Sequence, residues 1–161
     1  MMKHHEQAHV IAVVYDEAQD APLVLLKTET LELYITLPVG TFEASAIIMI
    51  SEALVTPQPL IYDVLIQLFR EHSFKAEYIE LWGSPPSGYY GQLRYQGRFL
   101  HHHINISPSD GLILALRLHI PIFLDPSMVD TAQKEFPKRL FNSPDQNQIF
   151  FLDTQQVVQA Y

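Results

Sequence analysis

The chain has 161 residues and a mass of 18.5 kDa, the usual size of one domain with its own core. Hydrophobic residues make up 48% and charged residues 17%, which excludes a disordered chain and favours a soluble globular one. With no Cys, disulfides, thiolate nucleophiles and Cys-ligated zinc are excluded. The net charge of −8 predicts that the protein repels nucleic acid unless its cations are gathered in one place.

Membrane and export signals are not evident. No apolar run approaches the ~18–20 residues that span a bilayer. Residues 1–7 contain histidines and a glutamate where a signal peptide needs an apolar stretch. We therefore expect a cytoplasmic protein without a membrane span.

The opening third of the chain predicts strands followed by a helix. Strands are expected at residues 9–15, 23–27 and 31–37, the last because Leu31, Leu33, Ile35 and Leu37 alternate with polar or aromatic residues. Proline and glycine end this strand, and residues 42–54 have the composition of a largely buried helix.

The middle of the chain predicts an amphipathic helix and then a hairpin. A single apolar stripe is formed by Ile61, Val64, Leu65, Leu68 and Phe69, which follow helical spacing. Strands are expected at residues 76–81, 89–95 and 97–106, in an antiparallel arrangement. The sequence Gln-Gly at 96–97 predicts a tight turn between the last two.

Residues 107–135 predict two further helices. Ser107 as N-cap, Pro108 at the first helical position and Asp110 at the third predict a helix through residue 118. A strand at 120–124 and a helix from 126 to about 135 follow. Residues 136–161 are polar apart from residues 149–152 and predict an added strand and helix or a partner-binding tail.

These elements define an α+β fold with a mixed, largely antiparallel sheet and about four helices. The strand-Pro-helix units around Pro38 and Pro108 also suggest an internal duplication. We expect one domain at residues 1–130 and a C-terminal extension at 131–161.

Three carboxylates stand at predicted helix starts, namely Glu43, Asp63 and Asp110, and Arg117 lies two turns after the last. If they converge, their oxygens can hold a divalent cation that activates water against a phosphodiester. Alternatively, acidic residues in a first helical turn stabilise the helix dipole by about 0.3–1 kcal/mol without any function.

A run of three histidines, residues 101–103, has two possible interpretations, a zinc site or an exposed strand face. Only His101 and His103 share a strand face, so a zinc site needs ligands from elsewhere, such as His119 or a carboxylate. Otherwise the run is an exposed strand face. A basic group of Lys134, Lys138 and Arg139 is interpreted as a solvated helix end.

The predicted hairpin mixes aromatic rings with positive charge. Tyr89, Tyr90, Arg94 and Arg98 combine the stacking faces and cations that single-stranded nucleic acids use. The same residues also suit an ordinary strand, where aromatics are common. We therefore interpret them as a candidate surface for nucleic acid or for a protein partner.

Three segments, taken in order, resemble the bifunctional nuclease family, the BFN domain. Residues 40–47, GTFEASAI, resemble G-x-x-E-A-x-A-I; residues 58–64, QPLIYDV, resemble R-P-x-T-H-D-L; residues 107–117, SPSDGLILALR, resemble R-P-S-D-A-I-A-L-A-x-R. The resemblance covers roughly residues 9–130. It implies an α+β domain, homo-oligomerisation and, in some members, metal-dependent cleavage of DNA and RNA.

The resemblance implies that Glu43, Asp63 and Asp110 hold Mg²⁺ or Mn²⁺ and that Arg117 steadies a phosphate or orients a carboxylate. Four family positions differ, because Arg, Thr, His and Arg are replaced by Gln58, Ile61, Tyr62 and Ser107. Two hypotheses follow. One is a DNA/RNA hydrolase whose activity is weak or absent. The other is a non-catalytic oligomeric scaffold or accessory subunit that binds a protein partner through the hairpin or the C-terminal tail.

Overall fold

The computed structural model describes residues 5–135 and 149–151 of the chain. Its eight strands are β1 (Glu6–Asp16), β2 (Ala21–Thr28), β3 (Tyr34–Pro38), β4 (Lys75–Ser84), β5 (Gly88–Gln96), β6 (His101–Ile106), β7 (Ile122–Leu124) and β8 (Ile149–Phe151). Its four helices are α1 (Thr41–Ser51), α2 (Ile61–Glu71), α3 (Pro108–Leu118) and α4 (Pro126–Val129). Among these described residues, no helix has the length and apolar content needed to cross a bilayer.

The strands form one mixed sheet in the order β3-β2-β1-β7-β4-β5-β6. Strand β7 pairs antiparallel with β1 and parallel with β4, and β8 pairs antiparallel with the second half of β1. All other pairings are antiparallel. The predicted α+β class with a mixed, largely antiparallel sheet is confirmed.

The two halves of the chain repeat one order of elements. An antiparallel run of β1, β2 and β3 leads into α1, and a run of β4, β5 and β6 leads into α3. The two strand-Pro-helix units therefore occupy opposite edges of the sheet. This arrangement agrees with the internal duplication suggested by the prolines.

The main core lies between the sheet and the helices. Leu81 and Leu93 on β4 and β5 are 0% and 1% exposed and belong to one cluster with Ile113 of α3. Helix α3 comes so close to the sheet at Gly111 that a Cβ there would stand 3.0 Å from Ile79 Cγ2. The absence of a side chain at that position thus allows the helix to approach the sheet closely and to bury residues 111–115.

Helix α3 begins as its capping signal predicts. The Oγ of Ser107 accepts a hydrogen bond from the amide of Asp110 at 3.1 Å, and Pro108 opens the first turn. Helix α4 is likewise capped by Asp125, whose Oδ1 accepts from Ser127 N at 2.9 Å. The predicted extension of α4 to residue 135 is wrong, because Gln133 exchanges two 2.8 Å backbone hydrogen bonds with Tyr34 and is therefore extended.

Two further predicted boundaries differ. Helix α1 ends at Ser51 and not at residue 54, because Ala53 has a φ of +51° and the amide of Leu54 donates back to Met49 O at 2.9 Å. Strand β3 begins at Tyr34 and not at Leu31, because the Glu6 carboxylate accepts the amides of residues 30 and 31 and holds them in a turn.

The connection between β5 and β6 is longer than predicted. A four-residue loop, residues 97–100, replaces the expected tight turn, and it is closed by a 2.8 Å bond from Gly97 N to Leu100 O. Strand β7 also begins at Ile122 and not at residue 120. In the C-terminal tail, for which a strand and helix or a partner-binding segment was predicted, residues 149–151 form β8. The predictions for residues 136–148 and 152–161, with Lys138 and Arg139, lie outside the described residues.

Helix α2 confirms the predicted amphipathic segment but turns much of its apolar stripe outward. Its buried face is formed by Tyr62, Ile66 and Phe69, each 7% exposed. Of the predicted stripe, Ile61, Val64 and Leu68 are 70%, 44% and 45% exposed, Leu65 is half-buried and Phe69 is buried. The surface of this helix is therefore unusually apolar.

Candidate functional site

The starts of α2 and α3 meet through a tyrosine and a carboxylate. The Tyr62 hydroxyl donates a 2.7 Å hydrogen bond to Asp110 Oδ1. The second oxygen of Asp110 accepts a 2.6 Å bond from Ser107 Oγ. Both oxygens of this predicted catalytic carboxylate are thus engaged by hydroxyl groups of the same chain.

Glu43 belongs to the same neighbourhood. Burial, the hydrogen bond to Asp110 and the negative charges of Asp110 and Glu43 together raise the pKa of Tyr62 above its ordinary value near 10. The Glu43 carboxylate lies back over Gly40, at the place where a Cβ would stand. This close approach to the start of α1 positions the negative charge at the positive end of the helix dipole.

Asp63 and Arg117 form an ion pair between α2 and α3. The Asp63 Oδ1 contacts the Arg117 guanidinium, and their side chains are 27% and 24% exposed. The other oxygen of Asp63 accepts a 2.7 Å hydrogen bond from the amide of Leu60. The Asp63 carboxylate therefore accepts a backbone amide at the start of its own helix and also neutralises the charge of Arg117.

A cavity of about 390 Å³ opens beside this ion pair. Its polar lining is formed by Thr56, Tyr62, Asp63 and Arg117, and the other lining residues are apolar. The apolar part comes from the end of α1, the following loop and α3, and it includes Ala46, Met49, Ile50, Leu54, Val55 and Ile113. Of the predicted site residues, Asp63 and Arg117 thus border this hollow, whereas Glu43 and Asp110 do not line it.

The three carboxylates do not form a metal-ligand set in this arrangement. Within residues 5–135 and 149–151, no group of three or more His, Asp or Glu side chains is placed to hold a metal ion. Asp110 is bonded to hydroxyls and Asp63 to a guanidinium and an amide. The residues as arranged do not fit the Mg²⁺ or Mn²⁺ implied by the family resemblance, and that cation stays a prediction.

The histidine run makes separate contacts. His101 Nδ1 lies 3.0 Å from Glu77 Oε2, His103 Nδ1 lies 3.5 Å from an Arg94 nitrogen, and the His102 ring stacks on Tyr95. His119 ends α3 with a φ of +53°. These contacts match the exposed-strand interpretation, and the part of the chain that the structure describes brings no zinc-ligand group together.

The four predicted hairpin residues do not share one surface. Tyr90 and Arg94 lie on the face of the sheet opposite α3, whereas Tyr89 packs against the main core. Arg98 lies in the loop, with its guanidinium carbon 5.2 Å from the centre of the Phe99 ring. The aromatic neighbours Tyr78 and Trp82 were missed, although their alternation with Ile79 and Leu81 places them on the face of Tyr90.

Sequence reasoning also missed Tyr62 and Ser107 as members of the site. Both stand at positions where the family motif has other residues, His and Arg respectively. These two replacements were the sequence signal that could have identified them. Two hydroxyl residues that replace His and Arg near a carboxylate indicate new hydrogen bonds to it.

The comparisons with known proteins agree with the fold and the motifs. The Bifunctional nuclease domain family matches residues 24–137, and the chain belongs to this family. It is also similar to two uncharacterized proteins of Mycobacterium tuberculosis, MT1877 of strain CDC 1551 / Oshkosh and Rv1829 of strain ATCC 25618 / H37Rv. Each is 21% identical over 126 residues, which is 78% of this chain and 75% of the relative.

Proposed function

We propose that this BFN-domain protein works as a non-catalytic oligomeric scaffold whose copies associate through α2. The observation that carries the proposal is the exposed apolar stripe of α2, defined by Ile61, Val64, Leu65 and Leu68. Three of these side chains are 44–70% exposed. Contiguous apolar surface of this kind marks interaction sites in folded proteins.

The lack of charge in this stripe makes a second copy a suitable partner. Two chains of net charge −8 repel each other overall, but the stripe contains no charged residue and adds no repulsion where two copies meet. A two-fold axis brings the same patch of both copies together, so an uncharged apolar stripe is complementary to itself. Leu54 and Val55, in the loop before α2, are further exposed apolar residues, at 61% and 92%.

The state of the carboxylate site supports a role without hydrolysis. A tyrosine whose pKa is raised stays protonated at neutral pH and donates a hydrogen bond, so it is not a general base. The charge of Arg117 is balanced by Asp63 and is less available to a phosphate.

The test is the mass of the full-length protein by light scattering, for wild type and for the double variant Val64→Gln/Leu68→Gln. Glutamine keeps helix propensity and adds no charge, so a loss of association reports the apolar contact. The control is Arg70→Gln/Glu71→Gln, which changes other positions of α2 without changing net charge. We expect dimeric wild type and control and a monomeric stripe variant, each with the same circular dichroism. A monomeric wild type, or a stripe variant that remains dimeric, contradicts the proposal.

A second candidate function is hydrolysis of DNA or RNA. It is favoured by the convergence of Glu43, Tyr62 and Asp110 from the starts of three helices, next to the pair of Asp63 and Arg117. Such convergence is what a hydrolytic site built from these residues requires.

The two candidates are separated by incubation with labelled single- and double-stranded DNA and with RNA, with and without Mn²⁺. Wild type, Asp110→Ala and a variant carrying the family residues Gln58→Arg, Ile61→Thr, Tyr62→His and Ser107→Arg are compared. A scaffold predicts no cleavage by wild type. Cleavage by wild type that Asp110→Ala abolishes establishes the nuclease and overturns the non-catalytic role, whereas cleavage that persists in Asp110→Ala reveals a contaminant.

A further inference from the structure

The cavity beside the ion pair of the candidate site is apolar both in its depth and at its opening. Its most buried lining residues are Ile113 of α3 and Ala46 of α1, which are 0% and 5% exposed. Its most exposed ones are Leu54 and Val55, in the loop before α2, at 61% and 92%. A ligand that enters between these side chains therefore exchanges water for apolar surface along its whole path.

The loop that closes one side of the cavity is held by its own hydrogen bonds and prolines. The amide of Leu54 donates to Met49 O at 2.9 Å. The hydroxyl of Thr56 donates at 2.6 Å to a backbone carbonyl two residues further on. Prolines at positions 57 and 59 fix two backbone φ angles. The cavity is therefore shaped before a ligand arrives, as small-molecule sites usually are.

The volume of the cavity sets the size of its ligand. A value of about 390 Å³ lies within the range of small-molecule sites, roughly 300–1,000 Å³. A water molecule takes about 30 Å³ of liquid and a methylene group takes nearly as much, so an apolar part of about ten carbon atoms fits together with one polar head group.

The ion pair determines which head group is compatible with the cavity. One oxygen of Asp63 contacts the Arg117 guanidinium and the other accepts the amide of Leu60. An anionic head group meets the Asp63 carboxylate and a cationic one meets Arg117, and an unpaired charge in apolar surroundings is costly. A guanidinium has five N–H donors, however, so Arg117 can donate to an uncharged oxygen while it keeps its carboxylate partner.

We propose that this cavity binds a small uncharged amphiphile, which consists of an apolar part of the size given above and one hydroxyl or carbonyl oxygen. The apolar part lies against Ile113, Ala46 and the loop before α2, and the oxygen accepts a hydrogen bond from Arg117. The residues of the α2 stripe do not line the cavity. The site therefore requires neither cleavage nor association of copies.

The test uses the full-length protein and N-phenylnaphthylamine, an uncharged probe whose fluorescence rises in apolar sites. Displacement of the probe is measured with decanol, decanoate and decyltrimethylammonium, which share one chain length and differ in the charge of the head group. Each is used below the concentration at which it forms micelles. We expect one probe to bind per chain and decanol to displace it at the lowest concentration. The proposal is overturned if the probe does not bind, or if either ion displaces it better than decanol.

Two variants separate the effect of the ion pair from hydrophobicity, because an uncharged amphiphile also prefers any apolar patch. Asp63→Asn leaves the Arg117 guanidinium without its carboxylate, and Arg117→Met leaves Asp63 without its cation. We expect decanoate to gain about tenfold over decanol in the first variant, and decyltrimethylammonium to gain about tenfold in the second, since each finds an unpaired partner of opposite charge. Head-group preferences that stay as in wild type in both variants contradict the proposal.

A loop variant with a matched control locates the site. Leu54→Gln/Val55→Gln removes apolar contacts at the opening and is expected to weaken binding of the probe and of decanol about tenfold. The control Phe99→Gln/Leu100→Gln changes two other adjacent loop residues, which are 82% and 66% exposed, and is expected to bind as wild type.

The proposal is also overturned if the loop variant retains wild-type affinity, or if the control weakens binding equally, because the probe then binds elsewhere. Circular dichroism of each variant shows that a loss of affinity is not a loss of fold. If an ion-pair variant does not fold, the comparison of the loop variant with its control decides the outcome.

Discussion

The Tyr62 hydroxyl is the link between α2 and α3 whose contribution is most directly measurable. Its hydrogen bond to a carboxylate, at 2.7 Å in a side chain only 7% exposed, belongs to the charge-assisted class that stabilises by about 1.5–3 kcal/mol. Asp110 keeps the Ser107 hydroxyl as a second donor. Because Asp110 keeps this second donor, we expect Tyr62→Phe to lower the free energy of unfolding at pH 7 by an amount at the lower end of that range, about 1.5–2 kcal/mol.

The same contact predicts that this difference disappears in alkali. Because burial and the Asp110 bond raise the pKa of Tyr62, the folded protein holds the phenolic proton at a pH where the unfolded chain has released it. The stabilisation is thus complete below the unfolded pKa near 10 and is lost as the pH rises toward the folded pKa. At pH 11, ionisation of the unfolded chain removes about 1.4 kcal/mol from wild type and nothing from the phenylalanine variant.

Urea unfolding at pH 7, 9, 10 and 11, followed by the fluorescence of Trp82, measures both effects. The free-energy difference between wild type and Tyr62→Phe is expected to shrink to near zero by pH 11. Tyr90→Phe is the control, since its exposed hydroxyl donates to the Ser87 carbonyl and not to a carboxylate, and it should change stability at pH 7 by a few tenths of a kcal/mol. A difference for Tyr62→Phe that stays constant from pH 7 to 11 would refute a buried hydroxyl donating to Asp110.

Three further substitutions test other contacts in the same unfolding assay. Arg117→Ala leaves the partly buried Asp63 carboxylate without its cation and should destabilise by about 1–2 kcal/mol, a value between those of surface and of buried ion pairs. The control Arg70→Ala, at an exposed position, should change the stability little. Equal effects of the two variants would contradict the ion pair. Ser107→Ala should remove about 1 kcal/mol of N-cap stabilisation that Ser109→Ala does not remove. Leu81→Ala, at a fully buried position, should destabilise by about 2–5 kcal/mol, and a change below 1 kcal/mol would show that β4 is not in the core.

Local signals in the sequence predicted α3 well and α4 poorly. Ser107, Pro108 and Asp110 act within one turn of chain, so the start of α3 could be read without knowledge of its neighbours. The end of α4 depends instead on Gln133 pairing with Tyr34, almost a hundred residues earlier in the chain. Contacts of this kind compete with helix propensity and are not visible in a short window of sequence.

Periodicity predicted that α2 is a helix but not which of its faces is buried. The apolar spacing from Ile61 to Leu68 is that of a core-facing stripe, yet the helix packs through Tyr62, Ile66 and Phe69. Phe69 is positioned by its ring contacts with Phe74 and Tyr95, and Tyr62 by its bond to Asp110. Those tertiary contacts decide the rotation of the helix, and they leave the more aliphatic face at the surface.

The sequence predicted which residues lie at the candidate site better than it predicted the contacts that those residues make. Family motifs identified Glu43, Asp63, Asp110 and Arg117, and the structure brings these residues to one side of the sheet. What spacing along the chain cannot give is which donor each carboxylate finds. The pairing of Asp63 with Arg117 joins two helices through residues that are more than fifty positions apart in the chain.

The two departures from the family motif that lie closest to Asp110 are related to each other. Tyr62 stands at the family's His and Ser107 at its Arg, and each places a hydroxyl on a different oxygen of the same carboxylate. A histidine and an arginine there would bring positive charge and protons that can be exchanged with a substrate. The two hydroxyls instead donate their hydrogen bonds to Asp110 within the protein. The raised pKa of Tyr62 means that its hydroxyl keeps its proton at neutral pH. Both replacements therefore act in one direction, because each uses one oxygen of Asp110 for a hydrogen bond within the protein, and this supports the proposed non-catalytic role.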